Sequence, residues 1–185
     1  CVTIILTLFL KELLDYGPKN IEVSTYQSIS GAGKEKFCNF MDETFSVCAN
    51  IDTDIPKCKI GKNTLGFNFY PHESSLDKNG FSGEESKVIK ETRKILGLDV
   101  FPTCIRIPAI RCHGESVSCE LDIDMSRDEM VSLLKSRSIY CEHPEAINSE
   151  MKFDIQVGHV RKIGKRWNFF VVGDQLTRGA AYNAY

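Results

Sequence analysis

TCIRIPAIR at residues 103–111 and ESVSCELDI at 115–123 decide the fold. Both read as strands, and the second alternates apolar and polar side chains with a period of two, as a strand does when one face lies on a core. Cys112-His113-Gly114 leaves room for little more than a turn between them. Working outward, NIEVSTYQ at 20–27 predicts a further strand, closed by the small-residue turn Ser30-Gly31-Ala32-Gly33. Residues 66–70 predict a short strand, and 154–163 with 167–174 a hairpin around Gly164-Lys165-Arg166.

Helices fall between these runs. Residues 2–16 carry a wide apolar face and stop at Gly17-Pro18. Phe37, Phe40, Met41 and Thr44 recur at helical spacing, and the polar stretch 50–63 reads as a long surface loop. Ser82 with Glu85 and Ser126 with Glu129 are capping boxes, the first opening a helix to about Leu96 and the second a short helix bearing Met130, Leu133 and Leu134. Strands beside strands with helices interspersed predict an α+β domain, a mixed and largely antiparallel sheet with helices packed on it. Residues 1–185 show no internal repeat or linker and read as one domain, with both ends reading as cut: a helix opens the chain and Ala184-Tyr185 reads as part of a continuing helix.

Hydrophobic residues make up 42% and charged residues 26%, the balance of a soluble globular domain, and the net charge is −2. No electrostatic reason for a nucleic-acid or membrane partner follows from that charge. Arg161, Lys162, Lys165 and Arg166 bracket a turn and read as a solvated hairpin tip. The apolar run 2–10 is too short to span a bilayer and lacks the flanks of a secretion signal. No pair of the eight cysteines has CxxC spacing, so no zinc or redox motif is expected, and a reducing cytoplasm is. Gly31-Ala32-Gly33 lacks the third glycine of a dinucleotide fingerprint, and Ser28 and Glu35 break a phosphate-loop pattern.

Five segments taken together resemble the aspartate-semialdehyde dehydrogenase family: Cys1-Val2-Thr3 before an apolar helix, STYQSISGAG at 24–33, EESK at 84–87 with ETRKIL at 91–96, RIPAIRCHGESV at 106–117, and VGDQLTRGAA at 172–181. Each is weak alone; their order and spacing make the resemblance specific. It implies a C-terminal catalytic and dimerisation domain like that of glyceraldehyde-3-phosphate dehydrogenase, with the Rossmann domain absent from this chain.

The resemblance also implies roles. Cys1 matches the nucleophile, a thiolate that the start of a helix would stabilise. His113 matches the acid/base histidine, expected to titrate near neutrality. Arg106 matches the residue gripping the substrate α-carboxylate; an alternating strand would place it on the face of Cys104 and Ile110, where an ion pair with Glu84 or another carboxylate is the plain alternative. Glu84 matches the carboxylate that binds the substrate amino group and Lys87 the lysine that holds inorganic phosphate, although a surface pair three residues apart would look the same. Gln27 matches the glutamine that orients the acyl group. Ser30, Gly31, Ala32 and Gly33 match the turn approached by the cofactor, and Gln175 the anchor of its nicotinamide carboxamide. His72, His143 and His159 read as loop or surface residues.

The family reaction so implied is the reversible conversion of L-aspartate 4-semialdehyde, phosphate and NADP to L-4-aspartyl phosphate and NADPH, through a cysteine thioester. It serves lysine, methionine, threonine and isoleucine biosynthesis, the first by way of diaminopimelate. Most of the NADP site is expected in the missing domain, so the isolated chain is expected to be inactive. No metal is implied; a homodimer or tetramer in the cytoplasm is. An enzyme like N-acetyl-glutamyl-phosphate reductase, or a non-catalytic dimerisation paralogue, are the competing expectations.

Overall fold

A computed structural model describes residues 2–52 and 65–178. Cys1, most of the expected 50–63 loop and the expected helix at 184–185 lie outside the described residues. Helix α1 spans Val2–Lys11, followed by a 3₁₀ turn at Leu14–Tyr16 and strand β1 at Lys19–Gln27. A second 3₁₀ turn at Ile29–Ala32 leads into α2, Lys34–Asn50. Then come β2 (Tyr70–Pro71), α3 (Gly83–Leu96), β3 (Val100–Arg106), β4 (His113–Glu120), α4 (Arg127–Ser136), β5 (Gln156–Ile163) and β6 (Arg166–Gly173).

The six strands form one sheet in the order β2-β3-β1-β4-β6-β5. β1 and β3 are parallel and every other neighbouring pair is antiparallel, so the sheet is mixed and largely antiparallel as expected. α1 is buried through Val2, Ile5, Leu6, Phe9 and Leu10, and Phe9 meets the Phe169 ring edge-on at 4.8 Å. Burying each such side chain stabilises the fold by about 1.5–3 kcal/mol. Val117, Cys119, Trp167, Phe169 and Val171 supply the sheet side of this core. Both capping boxes form: Ser82 and Ser126 each accept from the backbone N–H three residues on, and each glutamate reaches back.

Two expectations require correction. β3 ends at Arg106 rather than residue 111, and β4 begins at His113 rather than 115. The Ile107 N–H still bonds to Gln27, but Pro108 has no N–H to continue the ladder. The chain there turns to pair Ala109 and Ile110 carbonyls with the N–H groups of Ile29 and Ser30. Cys112 then takes a left-handed φ of 66°, which re-aims the chain into β4. Ile110 consequently lies outside the sheet and half exposed, not on the face of Arg106.

Candidate active site

Inner-face residues at one end of three neighbouring strands supply the chemistry. Gln27, the last residue of β1, stands opposite Arg106, the last of β3. On the other side of β1, Tyr26 pairs with Gly114, which sets Gln27 beside His113 at the start of β4. Gln27, Arg106 and His113 are each 4% exposed, so their polar atoms need partners inside the protein.

Ser28 provides most of them. Its carbonyl accepts from Arg106 Nη1 at 2.9 Å, and its N–H donates to His113 Nδ1 at 3.1 Å. Its hydroxyl lies 3.2 Å from the same ring nitrogen and accepts from Gln175 Nε2 at 3.1 Å. Gln175 also donates to the Ser30 hydroxyl at 2.6 Å. One residue therefore joins the arginine, the histidine and the glutamine, largely through main-chain atoms. Gln27 is held separately, by donating to the Thr25 hydroxyl at 3.2 Å.

Because Nδ1 accepts from a backbone N–H, the neutral His113 ring carries its proton on Nε2. The Cε1–Nε2 edge faces Gly31, where a Cβ would stand 3.5 Å from both atoms. Burial pushes the His113 pKa down to about 3. The histidine is neutral at pH 7 and presents an N–H donor, in contrast to the near-neutral titration expected. Charging the ring inside the core costs more than its neighbours return.

Asp174 fixes Gln175. Its carboxylate, fully buried, accepts from Arg111 Nη2 at 2.7 Å and Nε at 3.1 Å, from the N–H groups of Met151 and Leu176, and from the Thr177 hydroxyl. Burial alone would raise its pKa, but these donors hold it at about 2. The Gln175 Oε1 is buried with no partner among the described residues, an acceptor suited to an incoming amide N–H.

On its other side Arg106 meets a cluster that the sequence did not reveal. His72 Nε2 accepts from Arg106 Nη2 at 3.0 Å, and a Glu73 oxygen lies 3.4 Å from the same nitrogen. Lys36 on α2 holds that oxygen at 2.6 Å. His72 Nδ1 lies 3.1 Å from the Ser74 hydroxyl, which accepts from the Glu84 N–H at 3.2 Å. The start of α3 is thereby tied to Arg106, and Glu85 reinforces the link by accepting from the Cys104 N–H at 3.0 Å. His72 follows β2 in a loop, as expected, but is half-buried and hydrogen-bonded to Arg106. Lys87 is not drawn into this network: its ammonium is half exposed, 3.6 Å from Glu84, and lines an open cavity of about 510 Å³ with Ser75, Ser86 and Lys90.

Cys1 lies outside the described residues. Burial pushes the thiols of Cys104, Cys112 and Cys119 up to about 12, which leaves them inert. Among the described residues no group of three or more His, Cys, Asp or Glu side chains is arranged to hold a metal ion, and no helix is long and apolar enough to cross a membrane.

The fold and this converging strand-end site define a class. The family profile described as "Semialdehyde dehydrogenase, dimerisation domain" matches residues 10–178, and the chain belongs to that family. It is 36% identical to the aspartate-semialdehyde dehydrogenase of Prochlorococcus marinus over 200 residues, covering 100% of this chain and 57% of that protein. It is 33% identical to that of Aquifex aeolicus over 199 residues, covering 100% of this chain and 58% of that protein. The crystal structure of aspartate semialdehyde dehydrogenase II from Vibrio cholerae superposes with a TM-score of 0.87 at 29% identity, over 100% of this chain and 58% of that one. A second crystal structure of that enzyme, complexed with ASA, superposes equally well, with a TM-score of 0.87 at 28% identity over 99% of this chain and 57% of that one. The chain thus spans a little over half the length of the relatives it matches.

Proposed function

We propose that this chain is the catalytic and dimerisation part of an aspartate-semialdehyde dehydrogenase. The reading rests on one observation: in a chain of this family, Arg106, His113 and Gln175 are hydrogen-bonded to Ser28 at the strand ends, with Gln27 beside them. Arg106 is the carboxylate grip for L-aspartate 4-semialdehyde or L-4-aspartyl phosphate, because a buried guanidinium pairs strongly and directionally with that group. Glu84, tied to Arg106 through Ser74 and His72, binds the substrate amino group.

Cys1 carries the acyl group as a thioester, and attack by inorganic phosphate on the carbonyl carbon releases its thiolate. His113 donates a hydrogen bond from Nε2–H to the developing oxyanion, and Gln27 orients the carbonyl. Lys87, three residues after Glu84 at the start of α3, holds the phosphate. A nicotinamide cofactor, NADP in this reading, supplies hydride exchange at the aldehyde carbon when bound. The unpaired Gln175 Oε1 is the acceptor for its carboxamide N–H, and the small residues Ser30, Gly31, Ala32 and Gly33 leave room beside His113. Residues outside this chain supply the rest of the cofactor site.

The assembly is a homodimer. At one end of the outer sheet face Tyr26 and Phe170 lie with ring centroids 6.1 Å apart and Ile105 pairs beside Tyr26, an apolar patch offered to a second copy. A cytoplasmic enzyme of lysine, methionine, threonine and isoleucine biosynthesis fits the six described cysteines, all free.

The test is a substrate panel on the full-length protein with phosphate and NADP. L-aspartate 4-semialdehyde should be turned over and N-acetyl-glutamate semialdehyde should not, with Cys1→Ser abolishing activity and His113→Asn lowering kcat about 100-fold or more. The opposite substrate preference, or full activity in Cys1→Ser, overturns the reading.

A further inference from the structure

Arg106 already has a carboxylate beside it. Exposure rises outward through the contacts: the Arg106 side chain is 5% exposed, Glu73 30% and Lys36 47%. Glu73 therefore stands on the more exposed side of the guanidinium, in the position of a carboxylate partner. Its nearer oxygen is shared, 3.4 Å from Arg106 Nη2 and 2.6 Å from Lys36 Nζ. The guanidinium offers a second position as well, because Arg106 Nε is buried with no hydrogen-bond partner among the described residues.

We infer that Glu73 is a specificity-determining residue: an internal carboxylate that competes with the substrate carboxylate for Arg106, with Lys36 drawing it outward to make way. The inference rests on Arg106 being the carboxylate grip, as proposed above. His72 already accepts from Nη2 at 3.0 Å, shorter than the Glu73 contact. Lys36 and Arg106 both attract the same oxygen, so weakening either leaves Glu73 to the other. An anionic substrate that displaces Glu73 finds it a waiting partner in Lys36, and no unpaired charge is left behind. An aldehyde without a carboxylate displaces nothing and gains nothing at Arg106.

The competition predicts opposite signs for two substitutions in the full-length protein. Glu73→Gln removes the competitor and should lower KM for L-aspartate 4-semialdehyde roughly fivefold with kcat unchanged, the scale of a partly exposed ion pair. Lys36→Met leaves Glu73 to Arg106 alone and should raise KM. With 3-aminopropanal, which lacks the carboxylate, Glu73→Gln should leave KM where it was. An unchanged or higher KM in Glu73→Gln, or the same fall with both aldehydes, overturns the inference while leaving Arg106 as the grip. Arg106→Met separates the two: if it binds L-aspartate 4-semialdehyde as well as the parent protein, the grip itself is wrong.

Discussion

Replacing His113 by asparagine should make the protein more tolerant of mild acid, and the size of the effect follows from the burial of the ring. Asparagine keeps an acceptor near the position of Nδ1, so the Ser28 N–H retains its partner. The folded-state pKa of His113 is about 3, against an ordinary 6.5. The unfolded chain therefore takes up a proton as pH falls through 6.5 and the folded protein does not. Stability is complete above 6.5 and declines by about 1.4 kcal/mol per pH unit below it, until the folded ring itself charges. At pH 5 the loss is about 2 kcal/mol, a sizeable part of the 5–15 kcal/mol that holds a typical domain together.

A second buried group opposes this slope. Glu115 is fully buried two residues along the same strand face, and burial raises its pKa well above the ordinary 4.5. It binds its proton more tightly when folded, so it favours folding as the medium becomes more acid over the same interval. The parent protein alone would show a blunted dependence, and the measurement must be a difference. Urea unfolding of the parent and His113→Asn proteins between pH 8 and pH 5 cancels Glu115 and the smaller contribution of His72. Glu73 and Asp174, held at about 2, lose their stabilisation below their ordinary carboxylate values and stay outside this interval. The stability difference between the two proteins should shift by about 2 kcal/mol in favour of His113→Asn from pH 8 to pH 5. A difference that stays constant across that range refutes a buried, neutral His113.

Glu115→Gln should raise stability at pH 8, where ionising a wholly buried carboxyl is most costly, and the gain should shrink toward pH 5; a thermal melt series that shows destabilisation at pH 8 contradicts this. Asp174→Asn removes the charge that faces Arg111 and should cost about 3 kcal/mol in urea unfolding, the scale for breaking a buried ion pair, while weakening nicotinamide-cofactor binding through Gln175. A loss below about 1 kcal/mol there would show that the five donors around Asp174 are not what secures the turn.

The elements were legible wherever one local pattern decided the outcome. Ser82/Glu85 and Ser126/Glu129 marked helix starts because a capping box is written in four consecutive residues. Strand β1 was legible through its alternation. The run 103–111 misled because its apolar residues continue past Arg106 to Ile110, whereas the ladder stops for want of an N–H on Pro108. The site divides the same way. Arg106, His113, Gln27 and Gln175 were singled out through family motifs, and the structure brings them to one end of the sheet. Ser28 was not found, because it works mainly through its N–H and carbonyl, which every residue but proline possesses and no side-chain pattern records. His72 and Glu73 follow a two-residue strand, too short to carry a period, and gain their meaning from Arg106 more than thirty positions away. What a sequence shows directly is chemistry placed by local repeats; a contact made by a loop exists only once the sheet has brought its partner there. That is why the residue inferred to tune substrate affinity, Glu73, belongs to the part of the site that the motifs left blank.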